Sequence, residues 1–221
     1  VRRLQLLFDD WDLGNMSVEI QKVYLEHPQK RLIRRTVEIL EAGGIVVYPT
    51  DTIYGLGIDL FQKKAIEKVL RIKKESRHKM LSFILPDLKQ IAEWAIVPDY
   101  AYRIMRRVVP GPYTFVLRAT KKVPKLLLSN QKTVGIRIPD SEVAIELVKE
   151  LGRPILSTSV PAGRDGFYSD PQEIAERFRN EIDLILDAGI MMNTPSTVVD
   201  FSKAEPEIIR EGAGDIDALY Y

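Results

Sequence analysis

An α/β layer fold, with helices packed on a central sheet, is predicted for this 221-residue chain by three observations. Helical and strand patterns alternate from about Arg31 onward. The apolar runs are strand-sized and evenly spread, which fits one domain with a sizeable core. Internal repeats and low-complexity tracts are absent.

The elements follow in order. Leu32, Ile33, Val37 and Leu40 share one helical face over 31–41, and Gly43 and Gly44 close that helix before a strand over 45–48. A second helix is expected over 63–74, a buried strand over 80–85, a helix over 99–108, and strands over 113–117 and 134–138. Ala144, Leu147, Val148 and Leu151 again have helical spacing, with Asp140 or Ser141 as the cap. A strand over 154–157 follows. Asp170-Pro171-Gln172-Glu173 then starts a helix with a capping oxygen, a proline at its first position and a glutamate able to reach back. Strands over 184–186, 197–200 and 208–210 complete the pattern. Residues 160–169, with Gly163 and Gly166, form the longest glycine-containing connection and are expected to be free to move. Residues 1–15 lack the alternating pattern, so an N-terminal extension and a domain over 16–221 are expected.

Composition excludes several chemistries. Without cysteine there is no disulfide framework, thiolate zinc site or cysteine nucleophile. Two histidines, His27 and His78, cannot build a multi-histidine metal cluster, and His27 before Pro28 reads as a surface residue. No run reaches membrane-spanning length and the start resembles no signal peptide, so a cytoplasmic protein is expected. The net charge of +1 hides an asymmetry. Residues 101–139 carry nine basic side chains (Arg103, Arg106, Arg107, Arg118, Lys121, Lys122, Lys125, Lys132, Arg137) and no carboxylate, whereas 170–221 carry a net minus eight. Each lysine alone suits a solvated surface, but a window of that length without one acid suggests positive potential for phosphate or RNA.

The most informative stretch is Gly43-Gly44-Ile45-Val46-Val47-Tyr48-Pro49-Thr50-Asp51-Thr52-Ile53-Tyr54-Gly55-Leu56-Gly57. A short buried strand ends at Pro49, which cannot donate to a ladder, and two threonine hydroxyls and a carboxylate follow. Gly55 and Gly57 permit backbone geometry, or a close approach, that a side chain would block. The punctuation suits a binding loop or a structural connection equally.

As a string, Pro49-Thr50-Asp51-Thr52-Ile53-Tyr54-Gly55-Leu56-Gly57 resembles the signature of the YrdC family, whose members make threonylcarbamoyl-AMP for modification of adenosine 37 in tRNA. Further segments match that family in order: Arg71-Ile72-Lys73-Lys74-Glu75, Pro110-Gly111-Pro112-Tyr113-Thr114, Val134-Gly135-Ile136-Arg137-Ile138-Pro139, Ser157-Thr158-Ser159, Ser196-Thr197-Val198-Val199-Asp200 and Arg210-Glu211-Gly212-Ala213. The resemblance spans roughly residues 31–214. It implies a single α/β domain with a twisted mixed sheet, flanking helices and a basic concave groove. It implies that Thr52, Arg137, Ser157 and Ser196 hold L-threonine, and that Lys73, Lys79, Thr133, Ser159 and Arg210 hold ATP, with Lys73 the catalytic cation. An arginine for a carboxylate, hydroxyls for an amino acid and cations for a triphosphate are the chemistry such ligands require. From the residues alone, Arg137 and Arg210 serve equally as strand-edge ion-pair partners, and Ser157, Thr158 and Ser159 as caps of a strand or turn.

The implied reaction joins ATP, bicarbonate and L-threonine into threonylcarbamoyl-AMP and pyrophosphate. It needs no side-chain nucleophile, and Mg²⁺ would arrive with ATP instead of in a protein-bound metal site. Implied partners are tRNA or double-stranded RNA and, transiently, a transferase complex that completes the tRNA modification; no membrane is implied. Two positions depart from the family. Glu75 stands where a Lys-x-Arg pair has its arginine, and Pro161 where a Ser-x-Asn pair has its asparagine. The first changes local charge by two units at a phosphate site, with Arg77 close enough in sequence to compensate. These departures resemble the YciO-like branch, which leaves a second possibility: a nucleotide- or RNA-binding protein without efficient adenylation.

Overall fold

Among the described residues, two of the six helices begin where the sequence supplies a capping side chain. The structure, a computed structural model, describes residues 18–73, 81–128, 131–164 and 166–220. Its elements are β1 (Glu19–Lys22), α1 (Lys30–Glu41), β2 (Val46–Tyr48), β3 (Gly55–Asp59), α2 (Lys63–Ile72), β4 (Ser82–Ile84), α3 (Ile91–Trp94), β5 (Ala95–Ile96), α4 (Asp99–Val108), β6 (Tyr113–Ala119), β7 (Thr133–Arg137), α5 (Glu142–Leu151), β8 (Ile155–Ser159), β9 (Pro161–Ala162), β10 (Gly166–Phe167), α6 (Pro171–Phe178), β11 (Leu184–Asp187), β12 (Thr197–Asp200) and β13 (Glu207–Arg210). Ser141 caps α5, its Oγ accepting from the Ala144 N–H at 3.3 Å, and Gly152 ends the helix at φ +68°. Asp170 caps α6 by accepting from the Gln172 N–H at 2.8 Å, with Pro171 at the first turn.

Among the described residues eleven strands form one mixed sheet, ordered β1-β11-β2-β3-β8-β4-β7-β6-β12-β13 with β5 paired to β6. Strand periodicity sorts its side chains into two layers. One face carries Leu56, Ile58, Phe83, Leu85, Phe115, Leu117, Ile136, Leu156 and Val199 into the larger apolar cluster with α2, α4 and α6. The other carries Val46, Tyr48, Ile84, Ile155, Leu184 and Leu186 under α1 and α5. That second face continues beyond these helices as Ser157, Ser82, Gly135 and Val116, which stand side by side across β8, β4, β7 and β6. The break in apolar character along one sheet face is where the site lies.

The structure adds α3 and β5 to the expected elements and amends the expectations in three further places. The glycine pair following the threonines is not loop: Gly55 and Gly57 lie inside β3, antiparallel to both β2 and β8. What approaches them is the Tyr48 ring, since a Cβ on Gly57 would sit 2.8 Å, and one on Gly55 3.0 Å, from Tyr48 ring atoms. The connection over 160–169 contains a short antiparallel ladder in which Phe167 pairs with Pro161. β1 was not foreseen because four residues flanked by polar ones give little periodicity; parallel pairing with β11 defines it. Residues 1–15, Met16, Lys74 and Met80 lie outside the described residues. His27 is exposed, as expected.

The end of β3 is tied to the start of β8 by ion pairing. Asp59, 1% exposed, accepts from Arg153 Nε at 3.0 Å and Nη2 at 2.7 Å. Removing the cation leaves a buried carboxylate without its charge partner. Arg153→Met should therefore lower unfolding free energy by roughly 2–4 kcal/mol, the lower end reflecting a partly exposed guanidinium, as read by urea denaturation.

Candidate functional site

A cavity of about 290 Å³ opens on the polar part of the sheet. Its floor and walls are Ser82 and Ile84 of β4, Arg137 of β7, Thr114 and Val116 of β6, Ser157 to Ser159 of β8, Val198 of β12 and Arg210 of β13, with Ser196 just before β12 and Lys73 at the end of α2. Gly135 keeps the floor low, because a Cβ there would meet Ser82 Oγ at 2.9 Å. The lining carries three basic side chains and, among the described residues, no carboxylate. A small cavity that sets basic and hydroxyl groups among apolar side chains suits an amino acid or part of a nucleotide.

Arg137, 8% exposed, is the most constrained group in it. Its Nη2 donates to Thr52 Oγ1 at 2.7 Å, to Thr50 Oγ1 at 3.3 Å and to the Asp51 carboxylate. The threonine loop is itself pinned, with Thr50 Oγ1 donating to the Ile53 carbonyl at 2.7 Å and accepting from the Thr52 N–H at 3.1 Å. Asp51 extends the chain of contacts to α5 by accepting from the Asp140 N–H at 3.1 Å, and Ser141 Oγ donates to the Pro49 carbonyl at 3.1 Å. Arg137 Nε, by contrast, is buried and finds no hydrogen-bond partner among the described residues. A buried donor of this kind costs free energy until an acceptor meets it.

The opposite wall is organised by Arg210. Its Nε and Nη2 both donate to the Ser196 carbonyl, at 3.1 and 2.8 Å, and Nη2 also reaches Ser196 Oγ at 3.3 Å. Ser196 Oγ lies 2.8 Å from Thr114 Oγ1. The segment after β13 folds back against this corner: Thr197 Oγ1 donates to the Gly214 carbonyl at 2.7 Å and accepts from the Gly212 N–H at 3.0 Å. Gly212 has to be glycine there, since a Cβ would fall 2.3 Å from the Pro195 carbonyl oxygen. Burial, and then the charge of Arg137, lower the pKa of Arg210 from its ordinary value.

Lys73 is only 2% exposed and donates to Thr158 Oγ1. Burial, with a further push from Arg210, brings its pKa down to about 7. It can therefore present either an ammonium or a free amine near neutrality. Tyr48, fully buried behind Ser157, donates to Ser157 Oγ at 2.7 Å, and burial pushes its phenol up to about 12.

Of the residues singled out from sequence, the structure brings Lys73, Arg137, Ser157, Ser159, Ser196 and Arg210 to one cavity. Thr52 lies behind Arg137 as its hydrogen-bond acceptor and is not part of the lining. Thr133 is buried at the start of β7, four residues from Arg137, and also stands outside the lining. Lys79, Glu75 and Arg77 lie outside the described residues. Pro161 is buried in the β9–β10 ladder and is not part of the lining. Of the nine basic residues in 101–139, Arg137 alone enters the cavity; the other eight are exposed. Sequence analysis missed Ser82, Thr114 and Tyr48 as site residues. The available signal was a hydroxyl inside an otherwise apolar strand, as in Leu81-Ser82-Phe83-Ile84 and Tyr113-Thr114-Phe115-Val116.

The family model described as Telomere recombination (Sua5, yciO, yrdC) matches residues 38–212. The chain belongs to the Sua5/YciO/YrdC family. An uncharacterized protein of Haemophilus influenzae is 41% identical over 195 residues, covering 87% of this chain and 94% of that protein. YciO of Escherichia coli is 39% identical over 196 residues, 88% of this chain and 95% of YciO. The crystal structure of E. coli YciO superposes with a TM-score of 0.87 at 37% identity, over 91% of this chain and 99% of that one. Sua5 of Pyrococcus abyssi complexed with L-threonine gives a TM-score of 0.82 at 28% identity, over 90% of this chain and 58% of that one. Relatives named threonylcarbamoyl-AMP synthase are more distant, the one from P. abyssi being 29% identical over 189 residues, 85% of this chain and 56% of that protein. As a Sua5/YciO/YrdC domain, this chain thus combines the family fold with a basic, hydroxyl-rich cavity. Among the described residues no helix is long and apolar enough to cross a membrane.

The lowered lysine sets a pH signature. Lys73 titrates near 7 when folded and at its ordinary 10.5 when unfolded, so between those values the unfolded chain binds more protons and stability rises with pH. The difference in unfolding free energy between wild type and Lys73→Met, followed by urea denaturation, should increase from about pH 7 towards 10. A flat difference would mean that Lys73 stays charged in the fold.

Proposed function

We propose that this protein is a nucleotidyltransferase that joins bicarbonate, L-threonine and ATP into threonylcarbamoyl-AMP, releasing pyrophosphate and water, for N6-threonylcarbamoyladenosine formation in tRNA. The observation that carries this reading is Arg137 Nε, a buried donor without a partner among the described residues, in a small cavity flanked by Ser157 and Ser196. An amino-acid carboxylate would complete that guanidinium, and the serine hydroxyls would bond its remaining polar atoms. The likeness to P. abyssi Sua5 complexed with L-threonine supports the same assignment.

The threonine nitrogen bonds to the bicarbonate carbon and water leaves, giving a carbamate. A carbamate oxygen then attacks the α-phosphorus of ATP and pyrophosphate departs. Neither step requires a covalent protein intermediate, so the protein contributes alignment and positive charge. Lys73 and Arg210 supply the charge facing the phosphates, with Ser159 as a hydroxyl contact. Mg²⁺ arrives with ATP as part of that substrate. With a pKa near 7, Lys73 in its amine form would accept the proton that the threonine ammonium must lose before it attacks. Lys79 and Thr133 belong to the ATP side of this reading by sequence alone. Handing the adenylate to a transferase complex in the cytoplasm completes the proposed role.

A second reading, polyanion binding without efficient adenylation, is favoured by the eight exposed basic residues between Arg103 and Lys132 and by Pro161, which offers no side-chain donor at its ladder position. Its ligand would be tRNA or double-stranded RNA.

Pyrophosphate release with ATP, Mg²⁺ and bicarbonate, measured with and without L-threonine, separates the two. Threonine-dependent release that Lys73→Ala abolishes is expected. Arg137→Lys, which keeps the charge and loses the planar fork, should raise KM for L-threonine about tenfold or more. Release no greater than that of Lys73→Ala, in protein that binds RNA, would favour the second reading.

A further inference from the structure

Ser157 is held from behind by a residue that does not line the cavity. The Tyr48 ring crosses β3 over Gly55 and Gly57, the two positions where a Cβ would collide with it, and its Oη donates to Ser157 Oγ at 2.7 Å. A serine hydroxyl has one proton. With Oγ accepting from the phenol, that proton is available to another acceptor, and no acceptor for it is found among the described residues. Ser157 is 5% exposed and faces the cavity, so the open direction leads to the ligand. The phenol keeps its own proton across the accessible pH range because burial raises its pKa. The Arg137–Asp51 pair is near enough to Tyr48 to act on it electrostatically, which places the phenol, the serine and the arginine in one charged neighbourhood.

We propose that Tyr48 is a positioning residue that commits Ser157 to donate its hydrogen bond into the cavity, so that this subsite takes an acceptor atom of the ligand, such as a carboxylate oxygen, in preference to its ammonium. This explains why a glycine pair follows the threonines. Gly55 and Gly57 clear a path for a phenol on β2 to reach β8 across the intervening strand. It rests on the reading that the cavity holds an amino acid.

The test is a double-mutant cycle of Tyr48→Phe and Ser157→Ala, read by calorimetric dissociation constants for two probes, L-threonine and inorganic phosphate. Phenylalanine keeps the ring over the glycines, and near-UV circular dichroism checks that the core is retained. Tyr48→Phe should weaken binding about three- to tenfold in the wild-type background and have no further effect in Ser157→Ala. An equal loss in both backgrounds, or no loss in either, would overturn the proposal. Phosphate binding with the expected coupling but no L-threonine binding would sink the amino-acid reading and leave the role of Tyr48 standing. Binding of neither probe to the wild type would overturn both.

Discussion

The buried pair of Arg137 and Asp51 is the constraint on which the site depends. One carboxylate joins three elements: the threonine loop that carries it, β7 through the guanidinium, and the start of α5 through the Asp140 N–H. A buried ion pair of this kind adds little stability over an apolar replacement, but losing either partner leaves an uncompensated charge. Its consequence here is geometric. By occupying Nη2, Asp51 and the two threonine hydroxyls fix the plane of the guanidinium and leave Nε as a buried donor without a partner among the described residues. The protein thus keeps an unsatisfied donor on a side chain that lines the cavity.

The sheet explains how a polar cavity coexists with a packed core. Along β4, β6 and β7 one face is apolar and packs under helices, with Thr158 at the end of β8 the hydroxyl on that side, while along β4 and β8 the other face changes from apolar to hydroxyl-bearing within a few residues. Ile155 and Ile84 lie under α5, and Ser157 and Ser82 are their same-face neighbours one step along the strands. The cavity is therefore the uncovered end of a face whose other end is core. Glycines at 135, 55 and 57 then adjust depth: the first keeps the floor open and the other two admit the Tyr48 ring.

Much of this was legible in the sequence, for identifiable reasons. α4, α6 and β12 were readable from periodicity and caps, and Pro49 marked the end of β2 correctly. The ordered motifs pointed to Arg137, Ser157, Ser159, Ser196, Lys73 and Arg210, which converge although as many as 137 positions separate them. What stayed hidden depends on register. Whether Gly55 and Gly57 turn or pair is decided by β2 and β8 on either side, and local glycine content favours a turn. Thr52 lies behind Arg137, because sequence does not say whether a hydroxyl lines a cavity or holds the arginine that does. Charge counting over 101–139 grouped Arg137 with eight surface residues, since composition cannot distinguish a buried strand position from exposed positions on helices, turns or, at Arg118, a strand.

On the proposed function an amino-acid carboxylate completes the Arg137 Nε, which has no partner among the described residues, and a crystal structure of the protein with L-threonine decides this. The predicted result places a carboxylate oxygen about 3 Å from Arg137 Nε, with Ser157 donating to the ligand and the Asp51 pair retained. Density for the amino acid away from Arg137, or an empty cavity at saturating L-threonine, would contradict it.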